Sequence, residues 1–109
     1  MLNQLVIAGR LVSNPEVEKL ENNKKRCFIT VAVPRNFKNT DGTYDTDFIR
    51  CTLWAGIAEN TCEYCKKGDI IGVKGRIQTS SYEVDGVKKY SMDVIAEKVS
   101  FLSSKKADE

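Results

Sequence analysis

The sequence predicts an all-β protein: one five-stranded barrel of Greek-key type, with a single helix between its third and fourth strands. Three observations point there. Runs rich in β-branched and aromatic residues alternate with clusters of turn-forming residues. Only one stretch carries helical spacing. The chain has 109 residues, enough for one core and not for a second.

Each element has a local reason. The first strand is expected over Leu2–Val12, ended by Ser13-Asn14-Pro15. The polar run Glu21-Asn22-Asn23-Lys24-Lys25 reads as a loop leading into a second strand over about Arg26–Val33, which Pro34 should stop. Residues 35–44 then read as a polar loop turning at Asn39-Thr40-Asp41-Gly42. A third strand follows over about Asp45–Ala55. The helix is expected over Ile57–Lys67, burying Ile57, Ala58, Thr61, Cys62 and Cys65, with Gly68 as its stop. The fourth strand covers about Asp69–Tyr82, where Gly72 and Gly75 mark bends or close packing. Asp85-Gly86 forms a hairpin turn into a fifth strand over about Val87–Leu102. Residues 1–102 thus make one domain of OB type, closed by long bent strands, and 103–109 a short polar tail.

Composition excludes several functions. There is no histidine, which removes a His general base, a Ser-His-Asp triad, a Cys-His dyad and imidazole-containing zinc sites. The cysteines Cys27, Cys51, Cys62 and Cys65 include one CxxC pair without a second. They read as small apolar fillers rather than a redox dithiol or a zinc shell. No metal and no cofactor is expected. Seventeen Lys+Arg against fifteen Asp+Glu leave a formal charge of +2, so any nucleic-acid site depends on where the charge is placed. The longest wholly apolar stretch is Leu5–Ala8, so no membrane span or signal peptide is expected and the protein should be cytoplasmic.

Strand alternation separates the faces. On the third strand Ile49, Cys51, Leu53 and Ala55 form a core face, while Phe48, Arg50, Thr52 and Trp54 form the other. Two large aromatics with an arginine between them suit stacked bases joined by phosphates. A subunit interface would also use them. On the fourth strand Lys74, Arg76 and Gln78 share a side, and continued alternation brings Tyr82 there; alone, these charges read equally as a solvated face. After the second strand, Arg35, Phe37 and Lys38 set another aromatic between cations, on a loop or folded inward. The first strand is apolar on both faces, Leu2, Val6, Ala8 and Val12 against Leu5, Ile7 and Leu11. One face fills the core, and the other calls for a second copy of the chain unless a loop or the helix covers it.

Taken together these segments resemble the bacterial and phage single-stranded DNA-binding proteins, whose subunits are OB folds. The likeness runs from Met1 to about Leu102. It is carried by Asn3-Gln4-Leu5-Val6-Ile7-Ala8-Gly9-Arg10-Leu11, Asn14-Pro15-Glu16, Phe28-Ile29-Thr30-Val31-Ala32-Val33, Asp47-Phe48-Ile49-Arg50-Cys51-Thr52-Leu53-Trp54, Glu63-Tyr64-Cys65-Lys66-Lys67-Gly68-Asp69 and Val73-Lys74-Gly75-Arg76-Ile77. The resemblance implies base stacking on Phe37, Phe48, Trp54 and Tyr82, DNA contact by Arg50 and Lys67, and a homotetramer that wraps single strands.

Two departures stand out. Such proteins usually end in a long tail with an acidic, hydrophobic tip that recruits replication and repair enzymes. Here the chain closes on Ser104-Lys105-Lys106-Ala107-Asp108-Glu109, as in a short phage or mobile-element member or a truncated chain, so recruitment through a tip is not expected. Ser80-Ser81 stand where relatives often carry basic residues, with Lys88 and Lys89 on the facing strand as replacements.

The expectation is a non-enzymatic protein that binds single-stranded DNA with little sequence preference, in replication, recombination or repair. Phe37, Phe48, Trp54 and Tyr82 would stack bases; Arg35, Lys38, Arg50, Lys67, Lys74 and Arg76 would hold phosphates. The alternative is a tail-less OB-fold accessory of primosome type that bridges replication proteins as a dimer.

Overall fold

The computed structural model describes residues 1–103; residues 104–109, most of the expected polar tail, lie outside the described residues. The strands are β1 (Leu5–Leu11), β2 (Glu18–Lys19), β3 (Lys25–Lys38), β4 (Tyr44–Trp54), β5 (Ile70–Val84) and β6 (Val87–Ser103). One helix, α1 (Ala55–Tyr64), joins β4 to β5, and a short 3-10 turn spans Glu21–Asn23. Five of the strands close the expected barrel. The order is β1-β5-β6-β4-β3, and β1 returns to pair with β3. All pairings are antiparallel except β4 with β6, which meet in parallel at Cys51 and Thr52 opposite Val94 and Ile95. The two-residue β2 adds an outer edge to β3 where the sequence pattern predicts only loop.

Closure depends on β1 changing partners. Leu5 to Arg10 pair with β5, then Arg10 and Leu11 pair with Ala32 and Val31 of β3. Gly9 sits at this crossing. A Cβ there would overlap the carbonyl oxygen of Ala32, so only glycine lets the strands approach. Gly75 plays the same part against the Ile95 carbonyl oxygen, at an irregularity in the β5–β6 ladder.

The core follows the alternation. Leu11, Cys27, Ile29, Val31, Cys51, Leu53, Ile71 and Val73 point inward, joined by Ala58 and Cys65 from the helical segment and Ala96 from β6. Full burial of a Leu or Ile side chain contributes about 1.5–3 kcal/mol each. The expected helix face is present, with Ala58, Thr61 and Cys65 buried and Ile57 and Cys62 half-buried.

Several boundaries differ from expectation: β1 starts at Leu5 rather than Leu2 and ends at Leu11, and β5 runs from Ile70 on to Val84. The helix begins earlier, at Ala55, which is exposed at the start of α1 rather than part of the strand's core face, and ends at Tyr64. Cys65 is extended, and Lys66 to Asp69 form a separate turn held by Asp69 Oδ2 accepting from the Lys66 N–H at 2.9 Å. The Gly68 N–H reaches the Leu11 carbonyl at 2.9 Å, so tertiary bonds stop the helix before its glycine. β6 includes Ser103, which the sequence pattern assigns to the tail.

The largest correction concerns Pro34. It does not end the strand. It pairs in register with Thr46, and β3 continues to Lys38, which faces Tyr44. The ladder shifts between Pro34 and Lys38, and a bulge is where a strand tolerates a residue without an N–H. The expected loop at 35–44 shrinks to a tight turn, in which Asp41 Oδ1 accepts from the Thr43 N–H at 3.0 Å and its hydroxyl at 2.6 Å. These bonds hold the Asp41 carboxyl below its ordinary range. At the other hairpin Asp85 and Gly86 both have positive φ, 51° and 78°, as the Asp-Gly signal requires.

Candidate nucleic-acid interface

The outward face of the β3–β4 ribbon is the centre of the site. On β3, Cys27, Ile29 and Val31 fill the barrel, so Arg26, Phe28, Thr30 and Ala32 face out. On β4 Phe48, Arg50 and Trp54 face out and are exposed, while Thr52, on the same side by alternation, is buried. Register sets Arg26 opposite Trp54, Phe28 opposite Thr52, Thr30 opposite Arg50 and Ala32 opposite Phe48. Two aromatics on β4, one on β3 and two arginines therefore share one surface.

The cations of this surface are already placed. The Arg50 guanidinium lies 4.0 Å from the Phe28 ring centre, and that of Arg26 lies 4.6 Å from the same ring. Arg26 is also 5.7 Å from the Trp54 ring. Phe28 thus orders two long side chains whose freedom would otherwise be lost on binding, while the N–H edge of Arg50 stays available to a phosphate. Arg26 donates to Glu18 at 2.7 Å, whereas Arg50 has no acid partner among the described residues.

Phe28 and Arg26 escape a reading of the sequence strand by strand. The signal is present: Arg26-x-Phe28 repeats on β3 the alternation that singles out Arg50 and Trp54 on β4. Only the cross-strand register brings the two patterns together.

The other expected residues fall in three places. Phe37 and Lys38 lie on the bulged end of β3 rather than on a loop, with the Lys38 ammonium 6.0 Å from the Tyr44 ring. Arg35, also on that strand end, is engaged by acids. It donates to Asp47 through Nη2 at 3.0 Å and Nε at 3.2 Å, and its Nη1 lies 3.6 Å from Asp45. The Arg35 guanidinium holds the Asp47 carboxyl below its ordinary value, and Asp47 in turn raises Arg35. Its charge is neutralised where the sequence predicts a free cation.

Tyr82 lies on the β5–β6 hairpin opposite Lys89, and Arg76 lies on the same strand opposite Ile95. Arg76 Nη1 donates to Gln78 at 2.9 Å. Lys74 faces Val6 of β1 and Lys98 of β6, so the register sets it beside the apolar patch of β1 rather than beside an aromatic. Lys67 sits in the turn after α1, its N–H donating to Asn14 Oδ1 at 2.8 Å. All four expected aromatics are exposed: Phe48 at 67%, Phe37 at 63%, Tyr82 at 52% and Trp54 at 37%.

The first strand matches its double reading. Leu5, Ile7 and Leu11 turn inward, while Val6 stands 74% exposed and Ala8 is also exposed. Neither a loop nor the helix covers that outer face among the described residues.

The cysteines are buried or half-buried and carry no disulfide. Cys62 Sγ contacts Cys27 Sγ at 3.6 Å. Burial pushes the Cys27 thiol up to about 12 and those of Cys51 and Cys65 up to about 11, which disfavours the thiolate that redox or metal chemistry needs. No helix among the described residues is long and apolar enough to cross a membrane.

A closed Greek-key barrel with β1 shared between β3 and β5, and with rings and cations gathered on one outward face, defines an OB-fold protein. Comparison with known proteins narrows the class. The model of the Single-strand binding protein family matches residues 2–102, and this chain belongs to that family. It is 43% identical over 106 residues to Single-stranded DNA-binding protein B of Bacillus subtilis (strain 168), covering 96% of this chain and 94% of that protein. It is 42% identical over 107 residues to Single-stranded DNA-binding protein 1 of Clostridium acetobutylicum, covering 96% and 97%. It is 42% identical over 106 residues to Single-stranded DNA-binding protein 3 of Listeria innocua, covering 96% of this chain and 66% of that protein.

Proposed function

We propose that this protein binds single-stranded DNA with little sequence preference, in replication, recombination or repair, and catalyses no reaction. The observation that carries the proposal is the β3–β4 face, where Phe48, Arg50, Phe28, Arg26 and Trp54 share one exposed surface. Bases stack on Phe48 and Trp54, and further along the strand on Phe37 and Tyr82. Every base has a π-face, so stacking is sequence-tolerant. Arg50 meets the phosphates between rings, with Lys38, Lys67 and Arg76 further out. Bases paired within a duplex cannot reach the rings, which disfavours double strands.

The protein works as a homo-oligomer, a tetramer as the family resemblance implies. A second copy covers the outer face of β1, where Val6 and Ala8 form an apolar strip that water otherwise touches. It acts on DNA in the cytoplasm.

Trp54 is the single tryptophan, so it reports on the site directly. Its fluorescence should be quenched by oligo(dT) at low salt and recover as salt is added. Unchanged emission at saturating oligonucleotide would place the DNA elsewhere. Sedimentation of the free protein tests the assembly, and a monomer at micromolar concentration would remove the β1 interface.

A further inference from the structure

Beyond Trp54 the outward face does not end in neutral surface. An open cleft of about 890 Å³ is lined by Trp54 together with Lys19, Lys24, Lys25 and Glu59 of α1. Lys19 of β2 stands directly opposite Lys25 of β3 in the ladder. Like charges in that position destabilise a strand pair, and β2 has only two residues with which to offset the cost. Glu59 neutralises one of the three ammonium groups, its Oε1 lying 3.1 Å from Lys25 Nζ. Glu18, the nearest acid on β2, is taken by Arg26. Lys19 and Lys24 have no ion-pair partner among the described residues. Along the cleft lining three lysines thus stand against one glutamate.

We propose that this cleft is a second phosphate-binding stretch, over which a single strand leaving Trp54 continues toward α1. The inference rests on the single-strand reading above and deepens it by assigning where the strand goes. Trp54 forms one wall of the cleft and also faces Arg26 in the aromatic–cationic stack, so a base on its ring puts the following phosphates at the lysines. Ammonium groups on flexible stems hold phosphates as point charges, without the fixed fork of arginine, which suits a backbone of variable path. The cleft lies within the size range of small-ligand sites, ample for a nucleotide rather than a lone ion. Glu59 acts against this stretch by holding Lys25.

Two variants of opposite sign test the proposal with an oligo(dT) long enough to pass beyond Trp54, titrated at several salt concentrations. Lys19→Ala with Lys24→Ala should lower the salt slope by about 1.4 and weaken binding roughly twentyfold near 0.1 M salt, as expected for two lost phosphate contacts. Glu59→Gln should act the other way, raising the slope by about 0.7 and tightening binding roughly fivefold, because it frees Lys25. A gain of this kind cannot come from a damaged fold. If both variants match the unaltered protein in affinity and slope while that protein binds normally, the cleft is not on the DNA path and the function stands. If the unaltered protein itself fails to bind oligo(dT), the single-strand reading falls with it.

Discussion

The two halves of the β3–β4 ribbon contain the same kinds of residue and do different things. In the half near α1, Arg50 and Arg26 lie over the Phe28 ring, and Arg50 meets no acid among the described residues. In the half beyond Pro34, Arg35 is held by Asp47 and Asp45. Both halves show aromatics beside arginines in the linear sequence. The difference teaches that an arginine counts toward a nucleic-acid surface according to its nearest carboxylate, and that two aspartates on a facing strand are enough to remove it.

The comparison breaks most visibly at Trp54. Trp54→Ala should weaken oligo(dT) binding by about 1–3 kcal/mol, the loss of one stacked base, measured by anisotropy of a labelled oligonucleotide. An unchanged affinity would place Trp54 outside the base path. Next in size is the contrast between the arginines. Arg50→Ala should reduce the salt slope by about 0.7 and weaken binding several-fold, while Arg35→Ala should change the slope little. A larger loss for Arg35 than for Arg50 would invert the comparison.

Smaller still is the effect of freeing Arg35. Asp47→Asn should tighten oligo(dT) binding about twofold, with a steeper salt slope, since only Asp45 at 3.6 Å then remains. A looser complex would show that Asp47 serves the site in another way. The smallest effect is a titration. The Asp47 carboxyl is held down by Arg35, so the pair's contribution is complete above the ordinary aspartate value of about 3.9 and is lost as pH falls through the lowered one. A carbon-detected NMR titration should find its midpoint below about 3.9, moving back toward that value in Arg35→Ala. Coincident midpoints in the two proteins would show that the ion pair does not form in solution.

Much of the site was legible because alternation is local. Which of Phe48, Ile49, Arg50 and Cys51 face outward follows from the pleat once β4 is recognised as a strand. The hairpin at Asp85-Gly86 was legible for a similar reason, since positive φ at both positions suits that dipeptide. Pro34 misled because a missing N–H ends a strand in most settings but is harmless at a bulge, and a bulge exists only relative to a partner strand. The helix end misled in the same way. Gly68 carried the stop signal, yet bonds from the 66–69 turn to Leu11 and Asn14 stopped the helix at Tyr64.

The sequence by itself determined the number of barrel strands, the one helix between the third and fourth of them, most of the inward and outward residues of the strands, and four aromatics that remain exposed. These depend on periodicity and turn chemistry, which act over a few residues. Only the tertiary structure decided that Arg50 lies over Phe28, that Arg35 is lost to Asp47, and that Lys19 faces Lys25 beside Trp54. Those outcomes are set by register between strands. Register comes from closing the whole barrel, at crossings such as Gly9 against Ala32, and no local pattern carries it.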